Sequence, residues 1–199
     1  GLQFHTGPCQ YFNVVIFATE KPPPFWYDEP IKGKNTKTEG LFIMNAKVRE
    51  LLNQQINKEF YSAYLYLDFS NYYERVGLDG FANWYRIQAQ EERDHAMLFY
   101  QYLQNNDQIV ELEAIGKPDK VFTDNMGPLK AALEHEEYVT GLINDIYAAA
   151  YDVRDFRTMQ FLDWFVKEQG EEETNANDLI TKMELFGSDP KSLYMLNSE

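Results

Sequence analysis

The sequence predicts an all-α protein: a four-helix bundle with one long crossover and a short C-terminal helix. Three observations carry this. From Met44 onward, apolar residues recur at a period near 3.6 over four long stretches separated by glycine- or proline-containing breaks. The break from Asp107 to Gly127 is too long for a turn and fits a connection running the length of a bundle. Each stretch also sets a metal-competent polar side chain into its apolar stripe, which only a shared interior reconciles with burial.

Composition narrows the function. The chain has 199 residues and a formal net charge of −14, with only 18 Lys plus Arg. Nucleic acid wants a basic face, so it is not an expected partner, whereas cations are. One cysteine, Cys9, rules out an intrachain disulfide framework and a cysteine-based zinc or iron–sulfur site. No apolar run approaches the length of a membrane span, and no membrane partner is expected. Asn13 to Ala18 is too short for a secretory h-region, so the expected location is cytoplasmic.

Residues 1–43 differ from the rest. They hold five of the eight prolines, including Pro22-Pro23-Pro24, and their four Lys balance four acids, so the whole negative charge belongs to residues 44–199. Without a helical period they read as an N-terminal extension, an extended and weakly structured arm. Lys37-Thr38-Glu39-Gly40 lies just before Met44, and purine-rich codons there would resemble a ribosome-binding site. Met44 as the natural start, with a translated leader before it, therefore stands beside a real extension.

The elements follow in order. A first helix is expected over Lys47–Arg75, with Leu52, Ile56, Glu59, Ala63, Tyr66 and Ser70 on one face. Val76-Gly77-Leu78-Asp79-Gly80 breaks it, making the next helix an antiparallel neighbour. That second helix, Phe81–Asn106, carries Phe81, Tyr85, Gln88, Glu92, His95, Phe99 and Leu103 in its stripe. Glu92 and His95 are three residues apart, one turn along one face, and Glu-x-x-His projecting inward is a di-metal bundle signature. Gly116, Pro118, Gly127 and Pro128 punctuate the crossover. The third helix, Leu129–Tyr151, turns Leu133, Glu136, Val139, Ile143 and Ile146 inward, with His135 and Glu137 assigned to the surface or to a supporting role. Asp152 to Asp155 makes a tight connection. The fourth helix, Phe156–Phe186, carries Leu162, Phe165, Gln169, Glu172, Leu179 and Met183, and Gly187 then Pro190 end it. Ser192–Glu199 adds a turn or two.

Four stripes thus contribute Glu59, Glu92 with His95, Glu136, and Gln169 with Glu172. Buried acids need partners, and a cation shared by all four helices supplies one. Carboxylates with a single imidazole suit iron or manganese better than a thiolate-seeking ion, and zinc is also compatible.

Three strings carry a resemblance: Glu59-Phe60-Tyr61-Ser62-Ala63-Tyr64-Leu65-Tyr66, Ala89-Gln90-Glu91-Glu92-Arg93-Asp94-His95-Ala96, and Phe161 to Glu173 (FLDWFVKEQGEEE). Over Met44 to the end, the chain resembles bacterial non-haem ferritin. The resemblance implies a ferritin-like bundle and a ferroxidase site. Glu59, Glu92 and His95 would hold one iron, and Glu92, Glu136 and Glu172 the other, with Glu92 bridging. Gln169 would sit beside the pair, with Tyr66 and Trp164 near. Glu91, Glu168 and Glu171, with Glu172, would match a third iron site.

The resemblance also implies the activity: iron(II) oxidised with dioxygen or hydrogen peroxide, and iron(III) mineral stored inside a cage of 24 subunits. No haem is expected. Where bacterioferritin has a second Glu-x-x-His, this chain reads Gln169-x-x-Glu172, and the cysteine-rich module of rubrerythrins has no counterpart. The family's closing helix looks cut short at Glu199, which puts the pore shape in question. Two other readings remain beside this one: a di-iron oxidoreductase acting on another substrate without a cage, and a metal-free helical interaction module.

Overall fold

The structure, a computed structural model, describes residues 44–198. The expected arm, the proposed leader and Cys9 lie outside the described residues. Within them, five helices appear in order: α1 Ala46–Arg75, α2 Asp79–Asn105, α3 Gly127–Asp152, α4 Phe156–Phe186 and α5 Pro190–Asn197. These match the expected spans within about two residues at most ends, with α5 the short closing helix. Expected boundaries slipped where caps, not periodicity, decide. Asn45 starts α1 by accepting from Lys47 N at 2.9 Å and Val48 N at 3.4 Å. Pro128 sits in the first turn of α3, where its missing N–H costs nothing, so that helix begins ahead of Leu129.

The connections set the pairing. Gly77, at φ +77°, lets the chain reverse between α1 and α2. Asp155 caps α4, accepting from Thr158 N at 3.0 Å and Thr158 Oγ1 at 2.6 Å. Tyr102 of α2 then reaches that threonine, hydroxyl to hydroxyl at 2.8 Å, and ties the two hairpins together. The crossover is fastened to α1 by two asparagines one turn apart. Asn53 donates to Ile109 O at 3.3 Å and accepts from Glu111 N at 2.7 Å, while Asn57 donates to Ala114 O at 3.1 Å. An exposed run of chain thus finds partners for backbone groups that have no helix to serve them.

The interior divides into two apolar clusters. One gathers Leu52, Ile56, Phe99, Leu103, Val139, Ile143, Ile146, Leu162 and Phe165. The other gathers Leu65, Phe69, Tyr73, Phe81, Tyr85, Leu129 and Met183. Along every helix the polar stripe residues fall between members of the two, so a buried polar belt crosses the bundle. Two stripe expectations need correcting: Leu133 and Leu179 are only half-buried. They sit at the edges of their helices' inner faces, a margin that a 3.6 period does not resolve.

At the far end, α5 completes α2. Leu78, which precedes α2, offers no side-chain cap. Asn197 of α5 supplies one, its Oδ1 accepting from Gly80 N at 2.9 Å and Phe81 N at 3.3 Å. The approach is close enough that a methyl at Gly80 would overlap the Asn197 carbonyl oxygen. Leu193 and Leu196 pack beside it on the second cluster. Asn197→Ala is therefore expected to lower stability by about 1 kcal/mol, the usual worth of a helix cap. Gly80→Ala should cost more and raise amide exchange throughout α5. Thermal unfolding with hydrogen exchange measures both, and unchanged exchange in the Gly80 variant would contradict this docking.

Candidate metal centre

Glu59, Glu92 and His95 meet in the polar belt, each offering a ligand atom within 4.8 Å of the others'. Glu59 comes from the middle of α1, and Glu92 and His95 from consecutive turns of α2. Their exposures of 1%, 2% and 6% place them in the core. His95 Nδ1 lies 3.8 Å from Glu92 Oε1. The edge of Trp164 and the ring of Phe165 pack on the imidazole from α4, at 5.3 and 5.9 Å between ring centres. Trp164 itself is partly open to solvent.

The second hairpin brings the remaining expected ligands. Glu136 and Glu172 are buried on α3 and α4. The Tyr66 hydroxyl donates to Glu136 Oε1, and Gln169 Nε2 donates to Glu136 Oε2 at 3.1 Å. Tyr66 lies two turns along α1 from Glu59. Glu91, Glu168 and Glu171 lie outside this set: Glu91 and Glu171 are exposed and Glu168 is half-buried. All three are close enough to raise the pKa of Glu172.

The electrostatics of the belt favour a cation. Burial raises the pKa of Glu92 well above the ordinary carboxylate range, and its charged neighbours, Glu59, Glu172 and Glu91, are of like sign and raise it further. Burial likewise raises Glu59. Burial, with Glu59 and Glu173 nearby, pushes Glu136 up to about 8; burial, with Glu136 nearby, pushes Glu172 up to about 9. Burial lowers His95 to about 4, leaving a neutral imidazole, the ligand form. Crowded acids and one neutral imidazole fit divalent or trivalent cations with hard-ligand preference.

The surface reading of His135 does not hold. It is buried, not at the surface: its Nε2 lies 2.7 Å from Ser62 Oγ, and the Tyr66 ring packs edge-on at 6.0 Å. The stripe pattern missed it because α3 buries a wider face than one row. Glu137, by contrast, is exposed. The pattern also left three buried polar groups without a role: Ser62, Gln55 and Gln88. Gln55 was legible as the residue one turn before Glu59.

The profile described as "Ferritin-like domain" matches residues 49–186. The chain belongs to the ferritin family. It is 35% identical to the bacterial non-heme ferritin of Campylobacter jejuni over 153 residues, covering 77% of this chain and 92% of that protein. The Staphylococcus aureus bacterial non-heme ferritin is 31% identical over 157 residues, covering 79% of this chain and 95% of that one. Among solved structures, the open pore ferritin of Archaeoglobus fulgidus is similar at TM-score 0.76 and 39% identity, covering 78% of this chain and 94% of its own. As a ferritin, the chain is an iron-storage protein with ferroxidase activity, and it carries a carboxylate–histidine group able to hold iron. Among the described residues, no helix is long and apolar enough to cross a membrane.

The raised carboxylates give this ferritin a pH signature. Folded Glu136 and Glu172 hold protons that the unfolded chain releases above about 4.5. Their contribution to stability is full below that pH and is lost as pH rises through about 8 and 9. His95 and His135, both lowered to about 4, contribute in the opposite sense, but only between their folded values and 6.5. From pH 6.5 to 9 the carboxylates act alone. Metal-stripped protein should lose thermal stability across that window, and Glu136→Gln should flatten the slope. Melting curves at several pH values test this, and a stability that rises toward pH 9 would refute it.

Proposed function

We propose that the chain oxidises iron(II) at a paired site and passes iron(III) into the cavity of a cage of 24 subunits. Glu59, Glu92 and His95 hold one iron, Glu92, Glu136 and Glu172 the other, and Glu92 bridges. The observation that carries this is the buried group of Glu59, Glu92 and His95, with buried Glu172 close enough to act on Glu92 and buried Glu136 on Glu59. Iron here is substrate. Two iron(II) ions give up one electron each, and one dioxygen takes both to become peroxide; hydrogen peroxide serves as the alternative acceptor. Binding the cations releases the protons that burial holds on the carboxylates, and the full negative charge then favours iron(III) over iron(II). Gln169 and Tyr66 fix Glu136 from two sides. The rest of the protein's acid draws cations toward the site.

We read residues 44–199 as the unit that does this and assign the protein to the cytoplasm. Glu91, Glu168 and Glu171 form the outer, third iron site beside Glu172, where more water and weaker ligation speed turnover. Aerobic addition of iron(II) tests the whole reading: far more iron should stay in solution than paired sites hold, and the protein should elute as a cage in size-exclusion chromatography. A lone bundle that oxidises iron without storing it would point instead to a di-iron oxidoreductase.

Two variants divide the site. Glu92→Ala should abolish rapid oxidation and leave assembly intact; undiminished rapid oxidation would remove the bridging assignment. Glu168→Ala with Glu171→Ala should spare the first rapid phase but change how many irons are oxidised per oxygen. Loss of that first phase would place those acids in the primary pair.

A further inference from the structure

Three of the belt's four carboxylates, Glu59, Glu136 and Glu172, share one feature that their ligand role does not require. Each accepts from a buried glutamine. Gln55 Nε2 donates to Glu59 Oε1 at 2.9 Å, one turn back on α1. Gln169 Nε2 donates to Glu136 Oε2 at 3.1 Å from the facing helix. Gln88 Nε2 donates to Glu91 Oε2 at 2.6 Å and reaches Glu172 Oε1 at 3.5 Å across the α2–α4 interface. The three glutamines are 2%, 4% and 6% exposed for Gln55, Gln169 and Gln88. Glu92, between them, has Glu59 and His95 as its near partners.

The choice of glutamine has a physical reason. A buried carboxylate is most cheaply fixed by Lys or Arg, but a cation there would repel the metal the site is built to take. An amide N–H orders one carboxylate oxygen, carries no net charge, and leaves the other oxygen for an ion. We propose that Gln55 and Gln88 are positioning residues of the iron site. With Gln169 they form a collar of neutral donors that holds Glu59 and Glu172 for one-oxygen ligation. Glu92 alone is left outside the collar and free to turn between two metals. Gln88 has a further part: with its shorter bond on Glu91, it keeps that acid in the outer group and out of the inner pair. This rests on the paired-site reading above.

Cobalt(II), titrated without oxygen into the assembled protein, tests the collar independently of iron oxidation. Wild-type protein should bind two cobalt ions per chain in the buried site, with a ligand-field absorption that reports their coordination. Gln55→Met keeps the volume and removes the donor. It should weaken one of the two ions by about tenfold or more, as loss of a ligand-orienting hydrogen bond does, and change the absorption as Glu59 swings to two-oxygen contact. Gln88→Met should weaken the ion on the Glu172 side instead and is the second arm if the first variant does not fold. Circular dichroism should show both variants as helical as the parent. If wild-type protein loads two ions and the variants match it in affinity and spectrum, the collar is packing alone and the proposal is overturned. If wild-type protein loads no pair at all, the paired-site reading fails and the collar with it.

Discussion

Everything in this bundle answers to one electrostatic constraint: acids from four helices share a space from which water is excluded. Left to itself, such a cluster repels and favours proton uptake, since burial and like-charged neighbours raise the pKa of Glu92, Glu136 and Glu172. Two apolar clusters on either side hold the helices together against that repulsion. The belt thus lies between two apolar clusters, and a bound cation would offset the repulsion among its acids. Stability is spent where chemistry is done, and the long aromatic-rich cores on either side make the arrangement tolerable.

The same constraint explains why the site's supporting groups are neutral. Tyr66, Gln169, Gln55 and Gln88 all donate hydrogen bonds without bringing charge. His135, buried beside Tyr66 and bonded to Ser62, extends this neutral shell one layer further. Among the described residues, Lys and Arg ion pairs lie at the rim. Lys167 and Glu171 pair at 2.8 Å with both side chains largely exposed, and the partly exposed Lys120 pairs with exposed Glu134 at 2.8 Å elsewhere. Such rim pairs contribute little to stability.

Much of this was legible in the sequence, and the reasons are particular. Helices of this length repeat their pattern enough times for Leu52, Ile56, Phe99, Leu103, Ile143 and Leu162 to announce a core. A lone Glu59 or Glu136 inside such a stripe then stands out because it violates the pattern. What the stripe could not express was anything decided across helices. Ser62 with His135, and Gln88 with Glu172, are contacts between segments far apart in sequence. Asn53 and Asn57 lie off the apolar stripe of α1, and only the path of the crossover gives them a purpose. Asn197 capping α2 is the extreme case, since its partner, Gly80, lies 117 residues away.

The split of ligands between the two hairpins has its own consequence. Glu59, Glu92 and His95 come from α1 and α2, and Glu136, Gln169 and Glu172 from α3 and α4. Glu59, Glu92 and His95 form a group within the first hairpin alone, whereas under the proposed assignment the second iron, shared by Glu92, Glu136 and Glu172, would act as a clasp across the hairpin interface. Its binding energy adds to the docking of the halves, by the mass-action rule that a ligand of the native state stabilises that state. Under that assignment cargo and scaffold would be thermodynamically linked: iron would hold a subunit's two hairpins together, and its loss would weaken their docking.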